Sequence, residues 1–254
     1  MNRLTQLNIQ PTSNHPSTPT RRAVLAHSLF NALPSFNLCA RGDAHRPALE
    51  QSIRRQFQVH YTAEVSHFAP LLLQMEDLTS SDSQHQTQAI VGLRAASAGP
   101  LFLESYLDAP IEQELTHRLN VPVARDRLLE IGNLVSLHPG SSALLFLVMT
   151  AIAKQAGYQW LVFTATPQVN KIIRRLNADP IILRAADGNR LGLEVDKWGS
   201  YYHRTPQVTA IPVCSALEAA TAAPWANQML DRFRPTITRL AARLAAVRPA
   251  EAVQ

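Results

Sequence analysis

Cysteine is scarce in this 254-residue chain: Cys39 and Cys214 are the whole supply, and neither sits in a paired motif. That excludes a disulfide-stapled scaffold and a zinc ribbon, and it leaves no motif for a covalent thiol mechanism. Long apolar runs are also missing. The longest nearly apolar stretch, Ala143–Ala153, has eleven residues and includes Thr150, well short of the ~20 that a bilayer-spanning helix needs. Lysine is nearly absent, with only Lys154, Lys171 and Lys197. The nine histidines show no ligand spacing beyond chance, and no metal is assigned. The arginines are scattered, and no helix-turn-helix, zinc-finger or RNA-recognition signature is present, so nucleic acid is not the expected partner.

What is present is an ordinary globular composition, 46% hydrophobic and 17% charged with 9 glycines and 17 prolines. It fits one large or two small domains and excludes a fibre. The net charge of +5 comes from 24 basic against 19 acidic residues and is almost wholly arginine. Arginine suits planar anions, so a phosphate-bearing small molecule or an acidic protein accounts for the charge.

Residues 1–45 read as a flexible tail, because the Ser/Thr/Asn/Pro-rich start offers little apolar surface to offset ordering. Thr20-Arg21-Arg22 ahead of Ala23–Leu33 resembles a twin-arginine export signal, but His27 and Asn31 break the apolar stretch, and the expected location is cytoplasmic. Residues 46–212 read as the core. Ile53, Phe57 and Val59 lie at near-helical spacing, Ala69–Met75 and Ala89–Arg94 as two antiparallel strands around a polar hairpin loop, and Asp108–Leu115 as a helix start. Leu128–Leu137 is a strand that runs through His138-Pro139-Gly140-Ser141-Ser142 into an apolar helix, Ala143–Ala156, closed by Gly157. Trp160–Thr166 is a buried strand, Val169–Leu176 a helix, and Ile181–Ala185 and Trp198–Tyr202 closing strands. This alternation is the grammar of an α/β sheet. Residues 213–254 read as a helical extension in which Ile237, Leu240, Leu244 and Val247 form an apolar stripe flanked by Arg239, Arg243 and Arg248. Such a stripe packs on a core or, in the sharper reading, makes peripheral contact with a membrane.

The junction Glu130–Ser142 carries the most chemistry. A strand passing through a Gly/Ser turn into a helix exposes free N–H groups at the positive end of a dipole, an anion cradle. The same geometry with Ser141 or Ser142 as N-cap is also a plain helix start.

Four ordered blocks, Gly99–Glu112, Glu130–Leu134, Phe163–Thr166 and Trp198–Tyr202, resemble those of the thermostable hemolysin family over about residues 60–210. The order of Val91–Arg94, Pro100–Glu104 and the acid-led strand at Glu130 is similar to the layout of acyl-homoserine-lactone synthases and, more broadly, GNAT acyltransferases. That resemblance implies a GNAT-like mixed α/β sheet with a splayed central strand pair and helices on both faces. An acyl-CoA or acyl-phosphopantetheine co-substrate would lie in the split, with no permanently bound cofactor. By the same resemblance Leu134, Val135, Ser136 and Leu137 would offer backbone hydrogen bonds to pantetheine, Gly140, Ser141 and Ser142 would face phosphate, and Asn170 would contact the donor. The phosphate turn keeps only Gly140 and small serines of the Gln/Arg-x-x-Gly-x-Gly/Ala pattern. An acyl carrier protein is therefore a donor on equal terms with CoA, and Arg174 and Arg175 suit an acidic carrier.

Acyl transfer to an amine needs a base and a group to steady the oxyanion. Glu130 is the expected base, its other reading being a structural ion pair with an arginine. Glu104 is the second carboxylate, or orients Arg94, which could hold an acceptor carboxylate in a fork. Alternation places Tyr201 and Tyr202 on opposite strand faces, and Tyr202 is the candidate acid. Tyr106, Asn133, Thr164 and Thr166 complete the acceptor side. The expectation is thus an acyltransferase acting on a small amine, with a membrane-active protein using the same sheet as scaffold for its rival. An amphiphilic acylated product would join the two.

Overall fold

The computed structural model describes residues 33–77, 86–138, 140–175 and 179–247. The export-like stretch, most of the expected tail, most of the hairpin loop, Pro139 and the Arg175 side chain lie outside the described residues. The sheet begins inside the segment read as tail. Strand β1, Ser35–Ala40, alternates so that Phe36 and Leu38 are buried, and it pairs antiparallel with β2, Leu71–Asp77. Its brevity beside a polar leader hid it, although the period-two pattern is there.

Seven strands lie in the order β1-β2-β3-β4-β5-β7-β6, with β3 Gln86–Ala95, β4 Leu128–Ser136, β5 Trp160–Ala165, β6 Ile181–Ala185 and β7 Gln207–Pro212. All neighbours are antiparallel except β4 and β5, which run parallel. The connection between those two is helix α3, Ser141–Gln155. A parallel pair requires such a crossover, since no tight turn can reverse it. The mixed sheet with helices on both faces is the expected architecture.

Alternation divides the side chains between two faces. Phe36, Leu73, Val91, Leu129, Leu161 and Ile211 meet α3 and the C-terminal helices in the largest apolar cluster. On the other face, α1 (Arg46–Tyr61) covers Leu72 and Ile90 through Leu49 and Ile53, while the segment around Leu103 and α2 (Ile111–Leu119) covers Leu128, Val162 and Val208. The functional cleft lies on this face, where the covering is divided between two clusters. Helix α2 carries Glu112 and Glu114 in its first turn and His117 and Arg118 in its last, matching the helix dipole at both ends.

Helix α4 is Pro167–Arg175, α5 is Val213–Thr221 and α6 is Pro224–Ala245. Ile237, Leu240 and Leu244 of α6 are buried in the same cluster as α3, and Arg239 donates to the Phe36 carbonyl at 3.3 Å. The apolar stripe is therefore part of the core, with only Val247 left exposed, and no apolar face of α6 remains for a lipid surface. Among the described residues no helix is long and apolar enough to cross a membrane.

One expected strand is absent. Trp198–Tyr202 is not β: 3-10 turns span Gly188–Trp198 and Tyr202–Arg204, and the late strand is β7 instead. The aromatic content imitates a strand, but Gly199 sits at φ 49°, and a Cβ there would come within 2.2 Å of the Tyr61 carbonyl oxygen. Only glycine lets this backbone lie against the end of α1. Ser200 N–H donates to that same Tyr61 carbonyl at 2.8 Å, so the segment is strapped across the cleft.

Candidate functional site

Strands β4 and β5 are hydrogen-bond partners over three rungs only: Leu128 with Trp160, Leu129 with Leu161 and Glu130 with Val162. Past Glu130 the two diverge. The cause lies on the opposite edge of β4, where Ile90 pairs with Val135 but Gly92 pairs with Gly132. An extra β4 residue is accommodated there, which makes a bulge and bends the strand. Asn133, at φ 48°, occupies the bulge in the left-handed region that asparagine tolerates better than most residues. Its side-chain oxygen accepts from Ala69 N–H at 2.9 Å and its amide nitrogen donates to the His67 carbonyl at 3.2 Å. Gly92 gives the room, since a Cβ there would meet the Ala69 Cβ at 2.7 Å.

A cavity of about 160 Å³ fills the mouth of this wedge. Arg94, Glu130, Asn133, Leu134, Thr164 and Thr166 line it from the sheet side. Glu130, at the last shared rung, is 8% exposed. Leu103 N–H donates to its Oε1 at 2.9 Å and Phe102 N–H to its Oε2 at 3.3 Å, with the Arg94 Nε 3.5 Å from Oε2. Burial pushes the carboxyl above its ordinary value, against the pull of the Leu103 donor and of Arg94. Glu130 is thus ion-paired with Arg94, the second of its two sequence readings, and also lines the cavity. Arg94 donates to the Pro100 carbonyl at 3.2 Å, but its buried Nε has no hydrogen-bond partner, and neither does the Thr164 hydroxyl.

Glu104 is not at the cavity, and it does not orient Arg94. Arg125 holds it at 2.6 Å and 3.0 Å, and the N–H groups of Leu101 and Ile111 donate to it at 2.8 Å and 3.0 Å. Burial alone would raise this carboxyl, but the Arg125 and backbone hydrogen bonds outweigh it and hold the group below its usual value. With every lone-pair direction engaged, it is a strut beneath the turn over Glu130. Tyr202 does not line the cavity either. Its hydroxyl lies 2.6 Å from that of Tyr106, and burial pushes it up to about 12. Tyr106 and Tyr201 do line it, and burial raises both phenols far above the ordinary range.

Leu134 lines the cavity and Val135 is buried against α1. Leu137, however, already gives its N–H to the Gln88 carbonyl at 2.8 Å, so it has none for a ligand. The Ser136 and Ser141 hydroxyls lie 2.8 Å apart and both reach the His138 carbonyl, at 3.0 Å and 2.8 Å, knitting the turn together. Neither Ser141 nor Ser142 is the N-cap. That position belongs to Gly140, at φ 87°, with no side-chain cap at all. Ser141 N–H donates to the His138 carbonyl at 3.3 Å, and the uncapped start of this 15-residue helix leaves the N–H groups that follow it for another acceptor. Asn170 is placed elsewhere: it donates to Gln207 at 3.3 Å and lines a separate open cleft of about 440 Å³ with Lys171 and Arg174. Among the described residues no cluster of three metal-ligating side chains exists.

Sequence reasoning missed the opposite wall. Phe57 and Tyr61 from α1, Phe102 and Tyr106 from the turn after β3, and Trp198 and Tyr201 from the strap all line the cavity. Their rings form a continuous network, with Tyr61–Tyr201 at 5.2 Å, Trp198–Tyr201 at 5.3 Å and Phe102–Trp198 at 5.5 Å between centroids. Three segments up to 144 positions apart contribute, so no local pattern could have joined them.

Residues 39–217 match the family model described as thermostable hemolysin. No curated protein matches. Among solved structures the chain is similar to the acyl-homoserine-lactone synthase LasI, with 14% identity, a TM-score of 0.50, and 76% of this chain and 97% of that one covered. It is also similar to BjaI, described as a CoA-dependent acyl-homoserine-lactone synthase, with 12% identity, a TM-score of 0.49 and coverages of 84% and 99%. At these identities the likeness to LasI is one of fold.

Proposed function

The chain belongs to the thermostable hemolysin family, and from that premise we propose that it is an acyltransferase. It moves an acyl group from a CoA or acyl-carrier-protein thioester to the amine of a small metabolite. The observation that carries this reading is the wedge: β4 leaves β5 after Glu130, and a cavity occupies the gap. A strand edge freed in this way binds an extended amide-bearing chain such as pantetheine by adding it to the sheet. The edge of β4 around Leu134 receives that arm, and the uncapped start of α3 beyond Gly140 takes its phosphate. The thioester carbonyl then lies near the vertex, beside Glu130.

There the amine nitrogen attacks the carbonyl carbon, the C–N bond forms, the C–S bond breaks and the sulfur leaves as thiolate, which takes a proton from solvent to give the thiol. Glu130 takes the amine's proton, and its raised proton affinity strengthens it as a base. The cavity-facing part of the Arg94 guanidinium supplies a donor for an oxygen atom at the centre. The exposed Arg174, on the neighbouring cleft, favours an acidic carrier protein as the donor's bearer. Such donors place the reaction in the cytoplasm. The buried stripe of α6 removes the main support for direct membrane attack, and an amphiphilic product accounts for lysis without a pore.

Purified protein given octanoyl-CoA, or octanoyl-carrier protein in a parallel arm, and a pool of small amines should release thiol and form a new acylated amine by mass spectrometry. Glu130→Gln should lower the rate by about 10²-fold or more. Lysis of erythrocytes by the protein without any donor would overturn the reading.

A further inference from the structure

Resting on the acyltransferase reading, we infer that the acceptor is a zwitterionic α-amino acid with an aromatic or large apolar side chain. The cavity lining holds one guanidinium, Arg94, and one carboxylate, Glu130, 3.5 Å apart, with His67 as its one imidazole. The pair is electrically neutral and poorly solvated. A lone ammonium would have to compete with Arg94 and two backbone N–H groups for Glu130. A lone carboxylate would find Arg94 but also meet Glu130 at close range. A zwitterion satisfies both at once: its carboxylate lies on the part of the Arg94 guanidinium that faces the cavity, and its ammonium lies on Glu130.

The rest of the ligand is set by the wall. Phe57, Tyr61, Phe102, Tyr106, Trp198 and Tyr201 face the pair across the cavity. They offer ring edges and faces to an aromatic or bulky side chain, and no charge. A charged side chain would be desolvated there without an ionic partner.

The pairing also prepares the reaction. An arriving carboxylate shares Arg94 with Glu130, which raises the proton affinity of Glu130 further and helps it take a proton from the ammonium. The freed amine attacks the thioester carbonyl; the C–N bond forms as the C–S bond breaks. Of the two protons lost by nitrogen, one goes to the departing thiolate and one to solvent through Glu130, leaving an N-acyl amino acid and a free thiol. The product is an amphiphile with a carboxylate head.

The test is calorimetric binding to the full chain, without donor and with CoA present, of L-phenylalanine, phenethylamine, 3-phenylpropionate and glycine. Thiol release from octanoyl-CoA and octanoyl-carrier protein is followed in parallel. Phenylalanine should bind about 10–100-fold more tightly than each of the other three. Arg94→Lys, which keeps the charge but not the planar fork, should weaken phenylalanine about tenfold while changing phenethylamine less than about threefold. Equal affinity for phenylalanine and phenethylamine, or no binding of phenylalanine under either condition, overturns the inference. Acylation of phenethylamine as fast as phenylalanine overturns the acceptor class and leaves acyl transfer standing. Selective phenylalanine binding with no thiol release from either donor does the reverse.

Discussion

Asn133 is the residue on which the wedge turns, and its two contributions can be separated by substitution. The carboxamide makes two hydrogen bonds that fasten residues 67–69 to the bulge, and the backbone is in the left-handed region. Each neutral hydrogen bond contributes about 0.5–1.5 kcal/mol net, and Ala69 N–H would be left without its acceptor. Asn133→Gly should therefore cost about 1–3 kcal/mol. Asn133→Ala loses the same bonds and adds about 1–2 kcal/mol for an alanine forced to positive φ. Glycine is penalised by the greater entropy of its unfolded chain, about 0.4–1 kcal/mol. The alanine variant should end below the glycine variant by about 0.5–1.5 kcal/mol. Urea unfolding with unchanged slope reads both values, and titration of phenylalanine reads the cavity wall, which should loosen in both variants. If alanine and glycine are equally stable, the bulge is not strained. If both lie within about 0.5 kcal/mol of the parent, the amide does not fasten the wall, and another cause must be found for the divergence of β4.

Three further outcomes are expected. Gly199→Ala should cost about 3 kcal/mol or more and lower the thermal midpoint, because its Cβ would collide with the Tyr61 carbonyl at positive φ; a neutral result would mean that the strap is free to lift. Because Arg125 and backbone donors hold the Glu104 carboxyl below its ordinary value, this group adds stability above its unfolded pKa. That stability is lost as pH falls through the folded one. Arg125→Gln should flatten this acid limb, and an unchanged pH profile would refute the strut. Glu130 has the opposite sign. Its folded pKa is raised, so ionising it costs stability as pH rises from its unfolded value, and the Glu130→Gln variant should gain on the parent as pH rises above about 4.3. A stability gap independent of pH would mean that Glu130 carries no such burden.

Much of the fold was readable along the chain because its signals are local. The continuous apolar runs of β2 and β3, the apolar run of α3 and the acid-to-base gradient of α2 are each legible within a few neighbouring residues. The misread elements are those in which a distant contact overrides the local pattern. Trp198–Tyr202 has the composition of a strand, yet the Tyr61 carbonyl and Gly199 set its path. Glu104 and Glu130 look alike in sequence. One is sealed by Arg125, 21 positions away, and the other is left facing a cavity.

By its residues alone, the chain determined that a strand would lead through a glycine turn into a buried helix, and that Glu130 would lie on that strand among apolar neighbours. Tertiary structure alone decided where β4 parts from β5, which carboxylate faces the gap, and that six rings from three segments meet opposite it. The reason is physical: backbone propensity and alternation act over a few residues. A cavity, by contrast, is the space left when distant elements fail to close, and its walls are assigned only once every element has packed.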